Sequence, residues 1–375
     1  MREDGHKKSS LRFIIPHHAP KANKPKALCY NKNMKIQRSP DIEAFFRRCR
    51  KNLTQDHKNA FVGRTITPAN HDAVRRQMKA AGFAEFQGEA STWPSLWIST
   101  RDFLDRPYPK TIRWDGVSTG SFRFDRLTLN AGELFNAHAI VMDPQRELNE
   151  SMMLRALDEP LDAPFLWQGS DAWMMDVPSE AYTMDPLAEK ATGRVLAIGL
   201  GIGYYPFMAL RNPTVTDVTV LEKAPEVIEL FESVLHPQFP RAKDLKVIEG
   251  DAFEVFTPEG LAPYDTVFVD IWRSADDGYP LIERLLGQVN PPLHKLDLWI
   301  EDSCFEFMPS LIFLYFEALM HHRPCRHHDP FYARQLRKIT AYFESDPSTV
   351  TTVEALKYRM YDRAILRAIA ATRVD

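Results

Sequence analysis

Apolar and polar positions run through this chain in two different rhythms. From Trp93 to Asp143 the period is two: Ile112-Arg-Trp and Ser121-Phe-Arg-Phe-Asp-Arg-Leu-Thr-Leu alternate between turns containing Gly and Asp, as half-buried strands do. Phe165-Leu-Trp and Ala172-Trp-Met-Met flank Gly169-Ser-Asp171 and predict a hairpin. Upstream, the run beginning Asp41-Ile-Glu-Ala-Phe-Phe predicts a helix with Ser39 or Asp41 as its cap. A second helix is expected from His71 to Ala81, stopped by Gly82. Residues 1–40 mix Lys, Asn, Pro and His without periodicity and read as a flexible extension, with Met34 as an alternative start. Residues 41–185 then form a smaller, accessory α+β domain.

After Ala191-Thr-Gly193 short apolar runs alternate with helical ones. Val195-Leu-Ala-Ile is a buried strand running into a glycine turn, and a helix begins at Pro206. Val218–Leu221, Lys246–Glu249, Thr266–Val269 and Leu296–Ile300 are the next four strands. Helices are expected over Glu226–Leu235 and Tyr279–Leu286. Strands and helices in this alternation build a doubly wound (Rossmann-like), mostly parallel sheet with right-handed crossovers. The expected fold class is therefore α/β, with this sheet over residues 186–330 and C-terminal helices over 331–375 packed on it.

Charge sharpens the division. The net charge is −3, yet residues 1–40 hold ten Lys/Arg against two acids, so the remainder carries a net −11. An acidic body argues against a broad nucleic-acid-binding face, which needs clustered cations. Four scattered cysteines fit a reducing compartment rather than a disulfide framework. The most apolar window, Leu311–Met320, falls short of the ~20 residues that span a bilayer. The expectation is a cytoplasmic protein that needs no membrane, with its oligomeric state left unread.

The candidate chemistry gathers around Gly199-Leu-Gly201-Ile-Gly203-Tyr-Tyr. Glycines between a strand and a helix let the backbone turn tightly and approach a ligand, and the helix N-terminus offers unpaired N–H groups. Glu222 ends the second strand, where it could accept from two hydroxyls of a ribose. Asp251 follows the third strand and Asp270 ends the fourth. Three acids at the carboxyl ends of successive parallel strands face the crevice where such sheets bind ligands. Each could also cap a helix, Asp251 most readily.

With these residues in place, the segment from about 190 to 305 resembles the class I S-adenosylmethionine-dependent methyltransferases, and within them the spermidine-synthase-like branch. The resemblance implies S-adenosylmethionine as cofactor. Gly199, Gly201 and Gly203 would line its methionine part, Glu222 would hold the ribose, and Asp251 with Ala252 would flank the adenine. It also implies a lid from Glu180 and Tyr182, while Trp272, like Trp167 and Trp173, could wall an apolar substrate pocket. Asp270 is the catalytic candidate, as substrate-orienting group or general base, with binding of the methionine amino group as its competing role. Trp167 and Trp173 could wall a pocket or simply fill core.

Two departures separate methyl transfer from its alternatives. Polyamine aminopropyltransferases continue the fourth strand with small residues and another Asp, whereas here Ile271-Trp272-Arg273 follows. A cation beside Asp270 would oppose an oligoamine. Phe268–Arg273 together with Glu301-Asp302 is also similar to the catechol O-methyltransferase type, in which acids bind Mg²⁺. Arg273 cannot serve as the base there, and helix capping is the preferred role for Glu301 and Asp302. The cluster from His321 to Asp329 has zinc-type donors without a second ligand pair, so no metal is expected. The expected activity is methyl transfer to a small-molecule acceptor. Spermidine-synthase-like aminopropyl transfer, or a catalytically silent binding module, is the alternative.

Overall fold

The computed structural model describes residues 34–53, 58–83, 95–114, 117–149 and 152–374. Most of the expected extension, residues 1–33, lies outside the described residues, but its last part is docked. Met34 is buried, and Lys35–Ile36 pairs in parallel with Thr349–Val350 near the other end of the chain. The first helix runs from Pro40 to Leu53. Ser39 caps it by accepting from the Ile42 amide at 3.3 Å, with Pro40 in the first turn, where a missing N–H costs nothing.

Residues 193–298 contribute five strands, all pairing in parallel: Gly193–Ile198, Val215–Glu222, Leu245–Glu249, Thr266–Val269 and Leu296–Leu298. Numbered in chain order, they lie 3-2-1-4-5 across the sheet. Val195, Leu196, Ala197 and Ile198 are all at most 1% exposed, which is why the first strand reads as an unbroken apolar run rather than an alternation. The order reverses at that strand, with the second on one side and the fourth on the other. This mixed α/β arrangement is consistent with a Rossmann-like fold.

The N-terminal half carries two further sheets. One is an antiparallel set of four, Ser118–Thr119, Phe122–Leu129, Leu161–Gln168 and Asp171–Met175. It contains the expected hairpin, turning at Gly169. The other sets Trp97–Ile98 beside Leu154–Leu157, with Phe135–Asn136 on its far side. Ile112-Arg-Trp is not a strand. Pro107–Thr111 is a short helix, and the chain that leaves it buries both Ile112 and Trp114.

The boundary drawn at residue 185 does not partition the core. One cluster of buried side chains runs from Met34 to Ala370, and a second, smaller one joins residues such as Phe61, Met78, Phe83 and Leu134. The first helix packs on C-terminal helices: Phe46 meets Phe313 edge-on at 5.3 Å, and Arg50 is ion-paired with Glu317. The apolar run around Leu311 is longer than the sequence suggested. The helical stretch Glu301–Met320 is long and apolar enough to cross a bilayer by composition, but 83% of its apolar window is buried inside the protein, as in a core helix.

Candidate functional site

The ends of the first, second and fourth sheet strands converge on the glycine turn. Gly199 donates its amide to Leu221 O at 2.8 Å, and Asp270 donates its own to Ile198 O at 2.8 Å. Gly199 has φ +100°, and a Cβ there would lie 1.9 Å from the Asp270 carbonyl oxygen, so only glycine lets the two strand ends approach. Gly201 (φ +50°) faces the hairpin: a Cβ would meet Met174 Sδ at 1.8 Å. Gly203 closes the turn at the start of helix Tyr204–Arg211, against the rings of Phe231 and Phe239.

Glu222 is tied to this turn. Its Oε2 accepts from the Leu200 amide at 3.0 Å and its Oε1 from the Ala224 amide at 2.8 Å. Both oxygens keep lone pairs for further donors, and their position is set by backbone. Asp251 caps the short helix that begins at Ala252, accepting from the Phe253 amide at 2.8 Å, and pairs with Lys223 Nζ at 2.8 Å. The Lys223 bond, and after it the Phe253 amide, hold its pKa below the usual carboxylate value. The capping role anticipated for Asp251 is thus present, and Ala252 is buried beside it.

Asp270 is strongly perturbed. Burial pushes its pKa well above the ordinary value, and the neighbouring charges of Glu180, Glu222 and Asp277 push the same way. Glu180, on helix Pro178–Lys190, is raised to about 7 by burial. Asp277 belongs to a capping box with Ser274, whose amide and hydroxyl both donate to Asp277 Oδ1 at 2.8 and 2.7 Å. The spacing Ser274-Ala-Asp-Asp277 carried that signal in the sequence. What it did not carry is the delivery of this carboxylate to the surroundings of Asp270.

Arg273 does not stand against Asp270. Its amide donates to Asp277 Oδ2 at 3.0 Å, while its guanidinium reaches the hairpin, 3.8 Å from Asp171 and over the Trp173 ring at 5.9 Å. The cation that seemed to exclude an oligoamine is therefore spent elsewhere. Trp272 is 5% exposed and lies against Gly278 at the start of helix Ala275–Gln288. Its Nε1 is buried and makes no hydrogen bond. Trp167 stacks on Phe165, and Trp173 is exposed on the hairpin.

Tyr182, two residues from Glu180 on the same helix, points elsewhere. It lies under the Arg106 guanidinium, 5.1 Å from ring centre to Cζ. Arg106 is ion-paired with Asp185 and donates to the Tyr204 hydroxyl at 3.1 Å, while Tyr204 donates to Asp185 Oδ1 at 2.8 Å. Tyr108 donates to Ile202 O, inside the glycine turn, at 2.5 Å. Sequence reading missed this brace, because nothing local marks Arg106 or Asp185 as partners of the turn.

Glu301 and Asp302 are occupied by arginines of the last helix, Arg363–Ala371. Arg367 grips Glu301 with two bonds of 2.6 and 2.8 Å, and Arg363 donates to Asp302 at 2.8 Å. Glu301 and Asp302 sit in the first turn of helix Glu301–Phe305 behind Ile300, so they anchor the C-terminus rather than cap by side chain. Among the described residues no group of three or more His, Cys, Asp or Glu is arranged to hold a metal ion.

No family model and no curated protein matches the chain. Among solved structures, spermidine synthase from Thermotoga maritima matches at 13% identity and a TM-score of 0.25, over 34% of this chain and 47% of that one. A Streptococcus mutans protein described as an S-adenosylmethionine-dependent methyltransferase matches at 14% identity and a TM-score of 0.26, over 36% of each chain. N,N-8-amino-8-demethyl-D-riboflavin dimethyltransferase from Streptomyces davawensis matches at 17% identity and a TM-score of 0.23, over 31% and 35%. The matched part thus spans less than half the length of each of these proteins.

Proposed function

We propose that the chain is a doubly wound, S-adenosylmethionine-dependent transferase that moves a methyl group to a small, amine-bearing acceptor. One observation carries this reading: the glycine turn, a backbone-fixed Glu222 and an Asp270 surrounded by carboxylates meet where the strand order reverses. Bound there, S-adenosylmethionine would supply an already activated methyl group. The residues then have separable tasks. Glu222 accepts from the ribose hydroxyls, Gly199 and Gly201 leave room for backbone approach, and Asp251 with Ala252 flanks the base.

Asp270 and Glu180 favour a cation. Both carboxyls are held toward their protonated forms by burial, so a positive sulfonium or ammonium would lower both pKa values as it binds. With the cofactor's positive charge beside it, Asp270 can then orient an amine acceptor or take its proton as general base. Calorimetry with S-adenosylhomocysteine on the full chain tests the cofactor. Binding by the native protein, weakened at least about tenfold in Glu222→Ala, is expected, which is about 1.4 kcal/mol. No binding to either protein sinks the reading.

The turned-away Arg273 gives aminopropyl transfer a specific observation in its favour, since the acids around Asp270 face no guanidinium from that residue. Competition between S-adenosylmethionine and its decarboxylated form separates the two. Preferential consumption of the decarboxylated donor with a polyamine would replace the methyl-transfer reading. Cofactor binding without turnover over a broad acceptor panel would instead indicate the silent binding module.

A further inference from the structure

Separate stretches of the chain leave a cavity of about 430 Å³ between them, within the range of small-molecule sites. Strand Trp97–Ile98 and the helix after it form one side, and Met153 with strand Leu154–Leu157 another. Ala137 and Tyr182, the latter on helix Pro178–Lys190, close the rest. Glu180, Glu222 and Asp270 are not among its walls. We propose that this cavity binds a flat, uncharged aromatic molecule of small size. The proposal is independent of the transferase reading.

The rings in the wall are held before any ligand arrives. Trp97 is stacked on His71 at 6.2 Å and Tyr182 on His138 at 6.2 Å. The planar guanidinium of Arg106 lies over Phe103 and over Tyr182, 5.8 and 5.1 Å from the ring centres. Side chains fixed in this way lose little freedom when another ring packs on them, and ordering of side chains is a main cost of binding. Ile98, Ala137 and Met153 add aliphatic surface to the aromatic one.

Charge narrows the class of ligand. Arg106 is committed to Asp185 and to the Tyr204 hydroxyl, and Arg155 donates to Leu154 O at 2.9 Å. The Ser99 hydroxyl is engaged as the cap of helix Thr100–Leu104, accepting from the Asp102 amide at 3.1 Å. Asp102 supplies the one carboxylate of the wall, and it is exposed. An anion would therefore meet Asp102 and guanidinium groups already bonded, while an ammonium would meet two guanidinium charges. Either gives up its hydration without gaining a dedicated partner. A neutral ring gives up only contact between apolar surface and water, which favours binding.

Saturation-transfer NMR on the full chain at neutral pH tests this with indole as the uncharged probe. Indole-3-acetate and tryptamine are its anionic and cationic counterparts. Indole is expected to bind with a Kd of about 1 mM or tighter, and both charged analogues at least about threefold more weakly. Trp97→Leu removes one ring and should weaken indole at least about threefold. Met153→Trp adds bulk at a residue 37% exposed, so it should weaken indole similarly while leaving the fold intact. Circular dichroism on each variant identifies any that is misfolded, and Met153→Trp decides if Trp97→Leu is. Absence of transfer to indole at about 5 mM overturns the proposal, as does a charged analogue that binds as tightly. Unchanged indole affinity in a folded variant overturns it too. So does displacement of indole by S-adenosylhomocysteine, because the cavity would then belong to the acidic crevice; failure of S-adenosylhomocysteine to bind anywhere leaves the expected indole result unaltered.

Discussion

Asp270 and Glu180 show what single residues contribute beyond their type. Both carboxyls have pKa values higher in the fold than in an unfolded chain, so the folded state retains protons that the unfolded one releases. Their contribution to stability is therefore complete below the ordinary carboxylate range, about pH 4, and is lost as pH rises through the raised values. Without ligand, the unfolding midpoint should fall between pH 5 and pH 8. Glu180→Gln should flatten that fall, with Asp270→Asn flattening it further, as followed by thermal denaturation at several pH values. Parallel curves for all three proteins would mean that these carboxyls sit in water. The sequence showed Asp270 at a strand end. It could not show the crowding of carboxylates around it, because Glu180 and Asp277 arrive from two separate helices.

At the level of elements, the hairpin and the glycine turn fit against each other. Gly201→Ala places a Cβ on Met174 and also forces a non-glycine residue to φ +50°. The clash involves the end of a flexible side chain, whereas the backbone cost of about 1–3 kcal/mol stays. Met174→Ala added to Gly201→Ala should therefore recover part of the lost stability in denaturant titrations, and full recovery would show that φ is not the constraint. The last helix offers a stronger case. Arg367 is 1% exposed and holds the buried Glu301, so Arg367→Met leaves that carboxylate only the longer 3.5 Å contact with Arg363 Nε and should cost about 3 kcal/mol. Removing both partners as Glu301→Gln/Arg367→Met should cost less than the single change.

The elements were legible to different degrees for physical reasons. The first, second and fourth sheet strands carry stretches buried on both faces (Val195–Ile198, Val218–Leu221 and Thr266–Val269), so each announces itself as a short, mostly apolar run, and the hairpin at Gly169 is marked by its turn. Ile112-Arg-Trp carries the same alternation as a strand, yet Pro107 starts a helix just before it, and burial of Ile112 and Trp114 produces the pattern without a ladder. Contacts such as Arg106 with Asp185, or Arg367 with Glu301, join residues with no shared local pattern. Sequence periodicity is blind to them.

Over the whole molecule, the two ends of the described chain are one structural unit. Lys35 donates to Ser348 O at 3.1 Å and Gln37 to Val350 O at 2.8 Å, with Met34 Sδ 3.8 Å from the Ser348 hydroxyl. Gln37→Pro removes one of these donors and should cost about 1–3 kcal/mol, measured by denaturant midpoint with an unchanged slope. A change in slope would mean that the end unfolds separately from the rest.

That closure also sets an order of events during synthesis. Ile42, Phe45, Phe46 and Cys49 form a buried face whose cover includes Phe313, and the paired residues Arg50 and Glu317 stand 267 positions apart. At about 5–20 residues per second, the ribosome needs roughly 10–50 s to deliver that cover. For this interval two adjacent phenylalanines wait beside an unfinished chain. Their cover is complete only once helix Met308–Met320 has been made.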